Sequence, residues 1–266
     1  SASMVDICVA LWFHELTARD RVSVKPHASP VLHAMNYLLG DLDASYLTTL
    51  REKGGLQAYP SRSKDPDTVD FSTGSVGIGA TATLWAAIAH RYVRSQFPAV
   101  HEGPAPGGGT PEHPGRFVSL LGDAELDEGA IWEAVADSQV AGLGELLWVV
   151  DMNRQSLDRV VPDIQIERLQ AMFSAAGWQV VTLKWGRLIS ALFDRPGGAE
   201  LRERLEAMPN EEYQRILRAD PTEVAERILG GAAGSEELRS LLESVPTTHL
   251  AAAVRDLGGH DLGLLV

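Results

Sequence analysis

Two oxygen donors stand where apolar runs stop. Asp123 follows Phe117–Leu121 in the order Gly122-Asp123-Ala124, and Asn153 follows Leu146–Val150 in the order Asp151-Met152-Asn153. Between them lie an acid-rich turn (Glu125, Asp127, Glu128) and a helix-like segment over 129–140, with Ala130, Ala134 and Val135 at helical spacing, broken at Gly142 and Gly144. This is strand, helix, strand at the size of one βαβ crossover, so two buried strands should be parallel neighbours. Ligands of open parallel sheets bind just outside the carboxyl ends of the strands. A carboxylate, an amide oxygen and a nearby backbone carbonyl aimed at one place suit the six-oxygen shell of Mg²⁺ beside an anionic phosphate. Taken singly, Asp123 and Asn153 read as caps of turns after strands; taken as a pair, they read as one site.

Other candidate groups lie upstream. His27 sits in the turn Lys25-Pro26-His27-Ala28-Ser29-Pro30, where the pre-proline residues are extended or turned. It reads either as a surface turn histidine or as a group at the site. Gly74-Ser75-Val76-Gly77-Ile78-Gly79 opens an apolar helix over 80–92. Such a turn lets a ligand approach the backbone, or it serves tight helix packing. The helix itself reads as buried or as packed on a second chain. His101 and His113 fall in a Pro/Gly-rich loop over 98–115 and read as solvated loop residues, not metal ligands.

The elements that must position these groups follow from periodicity. An amphipathic helix is expected over 3–16, with Ser3 and Asp6 as a capping box, then a short strand at 22–24 and a helix over 31–39. A short helix over 46–51, a loop over 54–67, a helix over 164–176 and a third strand over 180–184 come next. After Leu188 the chain reads as charged helices over 200–208, 210–218, 222–228 and 236–243. The fold class is α/β, with a mostly parallel sheet flanked by helices.

Composition narrows the function. The 266 residues are 45% hydrophobic and 22% charged, with a net charge of −13. That charge argues against a nucleic-acid partner, whose phosphates need a basic surplus. A small phosphorylated ligand stays open, since metal and backbone N–H groups can hold it. No apolar run approaches the length of a membrane span. The apolar stretch Val9–Phe13 lies between Asp6 and Glu15, unlike a secretory leader. With one cysteine, Cys8, no intrachain disulfide forms, and a cytoplasmic location is expected.

These motifs together resemble the thiamine diphosphate-dependent enzymes, most closely the homodimeric-type E1 component of pyruvate dehydrogenase, a relative of transketolase. GDAELDEGAI is similar to that family's acidic stretch and VVDMNRQSLD to its asparagine-bearing strand end. HASP resembles its histidine loop, FSTGSVGIG its glycine turn, AAGWQVVTLKWG its next strand and LGGHD a feature near the end of its first domain. The order agrees from about Ser3 to His260, so residues 1–266 are expected to be one diphosphate-binding domain.

The resemblance implies thiamine diphosphate and Mg²⁺ as cofactors. Asp123, Asn153 and the backbone carbonyl of Gln155 would bind the metal. Gly122, Ala124 and Glu125 would lie at the diphosphate, and His27 would handle substrate or a proton. Gly74, Ser75 and Val76 would hold the aminopyrimidine ring through their backbone. Two residues depart from the pattern: Ala124 replaces a glycine, and Asp151 adds a carboxylate near the diphosphate. The family's pyrimidine-binding domain, with the glutamate that activates the cofactor, has no counterpart in these residues. The expectation is therefore an α-type subunit of a split enzyme, or an excised fragment. A β-type pyrimidine-domain partner would complete a dimer of heterodimers, with a lipoyl domain or acyl carrier protein as acceptor. Transketolase-type ketol transfer is the alternative, and a non-catalytic regulatory paralogue a further one.

Overall fold

The strand expected after the Pro/Gly-rich loop forms the middle of a parallel sheet. The computed structural model describes residues 2–97, 115–140, 142–152, 155–156, 159–160, 163–230 and 235–266. His101, His113 and Asn153 lie outside the described residues. The chain divides into two compact units, Ser1–Val181 and Thr182–Val266.

In the first unit, β1 (Arg21–Ser23), β2 (Phe117–Gly122) and β3 (Leu146–Asp151) pair in the order β1-β2-β3, both pairs parallel. The register sets Ser23 beside Ser119 and Gly122 beside Asp151, so the carboxyl ends emerge together. Five of the six residues of β2 are buried, as a central parallel strand covered on both faces should be. β3 was expected to be buried too, but it is the sheet's edge and only partly covered, with Leu147 exposed. A short antiparallel pair, β4 (Gln155–Ser156) and β5 (Arg159–Val160), follows it.

The first helical segment runs through Ala2–Met4, α1 (Val5–Ala10) and the wider turn Leu11–Glu15. Its expected capping box does not form, because Ser3 donates instead to Asp151, 2.5 Å away. The helices α2 (Ser29–Leu38) and α3 (Ile78–Gln96) form as expected. α3 lies against β1 and β2. Gly79 makes this approach close, since a Cβ there would stand 2.6 Å from Ser23 Oγ. Two polar groups in the seam satisfy one another, since Ser119 Oγ donates to the Gly79 carbonyl at 3.0 Å and stands 2.7 Å from Thr83 Oγ1, whereas Ser23 Oγ is buried without a hydrogen bond. Ala80, Leu84 and Ala87 are buried, but Ile78, Trp85, Tyr92 and Val93 are exposed. α3 is thus buried on one face only.

Beyond β2, α4 (Gly129–Val135) and α5 (Asp163–Ala175) close the aromatic part of the core. There Trp148 stacks 4.7 Å from Trp178, with Phe173 edge-on to both. Two expected elements do not form. The segment 46–51 gives only the single turn Ala44–Tyr46, capped by Asp43, and Arg51 adopts a left-handed φ of 69°. The segment 180–184 is not a strand: Val180, Val181 and Leu183 are exposed, and only Trp185 bridges, to Leu257. A β-rich run makes a strand only where an edge is there to receive it.

The second unit is helical. α6 (Arg187–Phe193), α7 (Gly198–Ala207), α8 (Asn210–Leu217), α9 (Val224–Leu229), α10 (Glu236–Ser244) and α11 (Thr247–Arg255) bury one core that includes Ile189, Leu201, Ile228 and Leu250. Asp261 accepts from the backbone N–H of Arg187 at 2.8 Å and pairs with its guanidinium at 2.9 Å, fixing the start of α6.

Candidate functional site

The parallel register brings three segments to one end of the sheet: Lys25-Pro26-His27 after β1, Gly122-Asp123-Ala124 at the end of β2, and Asp151 at the end of β3. Lys25 and Asp151, 126 residues apart in sequence, join at 2.8 Å between Nζ and Oδ2. Both side chains are nearly buried, at 8% and 10% exposure. The ammonium reaches across the end of β2 over Gly122, where a Cβ would stand 3.6 Å from Lys25 Nζ, an ordinary contact distance. Ser3 adds its hydroxyl to the same Asp151 oxygen. The extra carboxylate is therefore neutralised locally. Sequence reasoning missed Lys25 and Ser3; the only sequence signal was a lysine placed directly after a short apolar strand.

Asp123 is buried at the tip of β2 and starts the turn Asp123–Asp127. Its Oδ1 accepts from the N–H of Ala124 at 3.0 Å. Glu125 is also buried and acts as a tie. One of its oxygens accepts from Gly122 N–H at 3.0 Å and the other from Gly77 N–H at 3.2 Å. This fixes the strand end to the glycine turn. Gly77 adopts φ +78°, and a Cβ there would press on Glu128 at 3.1 Å, so both backbone and space call for glycine. Gly74, Ser75 and Val76 are exposed on the turn. Thr73 anchors that turn by donating to the Val24 carbonyl at 2.8 Å.

His27 is exposed, 5.9 Å between ring centres from Tyr59. β4, which carries the backbone of Gln155, lies close to the Asp123–Asp127 turn. The structure thus brings Asp123, Ala124, Glu125, Gly122 and the glycine turn into one connected surface. Asn153 lies outside the described residues.

This geometry belongs with a known family. The family described as transketolase, thiamine diphosphate binding domain, matches residues 3–193. The chain belongs to that family. Among relatives of this thiamine diphosphate-binding chain, the pyruvate dehydrogenase E1 component of Pseudomonas aeruginosa is 28% identical over 98% of this chain and 29% of its own length. The E1 component of Mycobacterium tuberculosis is 28% identical over 91% of this chain and 25% of its own length. The chain thus spans under a third of the curated relatives it matches. Among solved structures, the transketolase from Leishmania mexicana superposes with a TM-score of 0.58 at 22% identity, covering 69% of this chain and 28% of that one. That likeness shows the α/β fold of the family. No helix among the described residues is long and apolar enough to cross a membrane.

The residues present fit the family's cofactor. A buried carboxylate stands at the tip of the central strand, as a metal between protein and phosphate requires. Asp151, the carboxylate that departs from the family's pattern, is held by Lys25. In the turn expected to meet the aminopyrimidine ring, Gly74, Ser75 and Val76 are exposed, while the Ser75 carbonyl accepts from the Ile78 N–H at 3.2 Å.

Proposed function

We propose that this chain provides the diphosphate- and Mg²⁺-binding half of an enzyme of the pyruvate dehydrogenase E1 type. The observation that carries this is Asp123, buried at the tip of the central strand in a chain of this family. Thiamine diphosphate, when bound, supplies the carbanion chemistry by which a 2-oxo acid loses carbon dioxide and yields a two-carbon unit. The chain's own residues bind and orient. Asp123, Asn153 and the carbonyl of Gln155 hold Mg²⁺. Ala124 and Glu125 border the diphosphate, and the salt bridge of Lys25 keeps Asp151 from repelling it. Gly74, Ser75 and Val76 hold the aminopyrimidine through backbone groups, and His27 moves a proton at its imidazole nitrogens.

The other wall of the site comes from a pyrimidine-binding domain on a partner chain, which brings the activating glutamate and completes a dimer of heterodimers. The exposed apolar face of α3 supports this reading, as does the exposure of His27 and the glycine turn. A lipoyl domain or an acyl carrier protein takes the two-carbon unit. Ketol transfer from a sugar phosphate is a second reading, favoured by likeness to a Pichia stipitis transketolase solved with sedoheptulose 7-phosphate, 27% identical with a TM-score of 0.50 over 66% of this chain and 24% of that one.

Calorimetric titration of thiamine diphosphate with Mg²⁺, with and without the partner, tests the proposal. Saturable, Mg²⁺-dependent binding that disappears in Asp123→Ala is expected. Absence of binding in both conditions overturns the enzyme reading. Release of carbon dioxide from pyruvate, against consumption of a ketose phosphate, separates the two donors.

A further inference from the structure

A second cluster of metal-ligating groups lies between α2 and the loop over 54–73. Its members are His33, Asp65 and Asp67, each with a ligand atom within 4.8 Å of the others. His33 is 1% exposed, and the side chains of Asp65 and Asp67 are fully covered. Asp67 Oδ2 stands 2.7 Å from His33 Nδ1 and accepts from Asn36 Nδ2 at 2.8 Å. A carboxylate oxygen only accepts, so a proton sits on Nδ1, and in the neutral ring Nε2 carries a lone pair. That Nε2 is buried without a hydrogen-bond partner and faces Asp65 Oδ1 at 4.0 Å. The other oxygen of Asp67, Oδ1, is likewise buried without a hydrogen bond. Two lone-pair donors thus confront each other in a dry place, which is costly unless something positive lies between them.

We propose that this cluster is a divalent cation site, distinct from the cofactor's, with His33 Nε2 and Asp65 as its ligands from the cluster, Asp67 supporting the imidazole from Nδ1, and Zn²⁺ as the preferred occupant. Tetrahedral Zn²⁺, with Zn–N and Zn–O bonds of about 2.0–2.2 Å, holds its ligand atoms about 3.4 Å apart, so the gap between Nε2 and Asp65 would close by a few tenths of an ångström on binding. An imidazole among the ligands favours zinc over magnesium or calcium. The carboxylate on Nδ1 is the usual outer support of a metal-bound histidine. Asp65 is already oriented, for its two oxygens accept from the N–H groups of Gln57 and Ser61 at 2.7 Å each. The cation would clamp the loop to α2. That loop ends at Thr73, whose hydroxyl anchors the glycine turn to Val24.

The test uses the whole chain, stripped with chelator and dialysed against Zn²⁺, without thiamine diphosphate. About one retained equivalent is expected, with Zn²⁺ affinity falling about tenfold or more in His33→Asn and in Asp65→Asn but unchanged in Asp123→Ala. Proton–nitrogen correlation spectra of the unaltered chain should show Zn²⁺ shifting His33 Nε2, a readout that needs no variant to fold. Failure to retain zinc, retention undiminished in a folded His33→Asn variant, or an unmoved His33 resonance overturns the site. A protonated imidazolium bridging the two carboxylates is then what fills the gap.

Discussion

Thr182–Val266 buries almost nothing but hydrocarbon: among the described residues its one buried polar or charged side chain is Asp261. Ser1–Val181 is built otherwise. It buries Asp20, Lys25, His33, Asp67, Asp123 and Glu125, and every buried side-chain polar atom left without a hydrogen bond among the described residues lies within it. Its large exposed apolar residues include Ile78, Trp85, Tyr92 and Val93 on α3, whereas those of the second unit are Leu183, Leu188 and three residues at the end of the chain. A unit that only has to fold can avoid buried polarity, which costs free energy unless paired. A unit that has to hold a charged ligand must bury polar groups and then balance them.

The Lys25–Asp151 pair tests that contrast most severely. Lys25→Met leaves a buried carboxylate without its counter-charge and should destabilise the first unit by about 3–5 kcal/mol. Urea unfolding followed by Trp148 and Trp178 fluorescence measures it. Lys25→Met with Asp151→Asn should recover most of the loss, since the pair's net contribution is small. A double variant as unstable as the single one would mean that Lys25 acts by packing, not charge.

Leu250→Ala probes the other unit, where nothing polar is at stake. A cavity in a core this closely filled should cost about 2–5 kcal/mol by urea unfolding, with thiamine diphosphate affinity unchanged. A changed affinity would show that the helical unit takes part in the site.

How much of this was readable beforehand depends on how far apart the deciding residues lie. β2, α2, α3 and the four helices α7 to α10 were legible because local periodicity defines them, while α11 (Thr247–Arg255) was not foreseen. Asp123 was legible because it ends an apolar run at a glycine. Lys25 with Asp151 was not, for it depends on β1 and β3 flanking β2, a register that local pattern does not contain. His33 with Asp65 and Asp67 hides in the same way, since helix spacing shows His33 facing inward but not what waits there. The strand expected over 180–184 failed for the converse reason: its composition was right, but among the described residues it pairs with no strand. Ser3 illustrates a smaller failure, a capping pattern whose hydroxyl is taken by a distant carboxylate.

The exposed side of α3 carries the next prediction. Trp85→Glu should alter stability by no more than about 0.5 kcal/mol, because the ring is exposed, yet abolish co-purification with the pyrimidine-domain partner. Intact co-purification would place the partner elsewhere.

Acid separates the units most gently. In the first unit, burial pushes the Asp20 carboxyl up, but hydrogen bonds from Arg116 and the Thr17 N–H outweigh it and leave the group below its ordinary range. In the second, the hydrogen bonds and charge of Arg187 hold Asp261 at about 2, against an ordinary 3.8. Both groups are easier to ionise folded than unfolded, so each contributes stability that is complete above the ordinary carboxylate range and lost as pH falls through the folded value. For Asp261 that window runs from near 3.8 down to about 2. Asp261→Asn should therefore flatten the fall in unfolding temperature across that window and leave it unchanged at neutral pH apart from a constant offset. In a Trp185→Phe background, Asp20→Asn should flatten only the acid loss of tryptophan fluorescence, since the other five tryptophans lie in the first unit. If either substitution flattened both signals equally, the two units would unfold as one, and the contrast between a ligand-holding unit and a purely folding one would not extend to their stability.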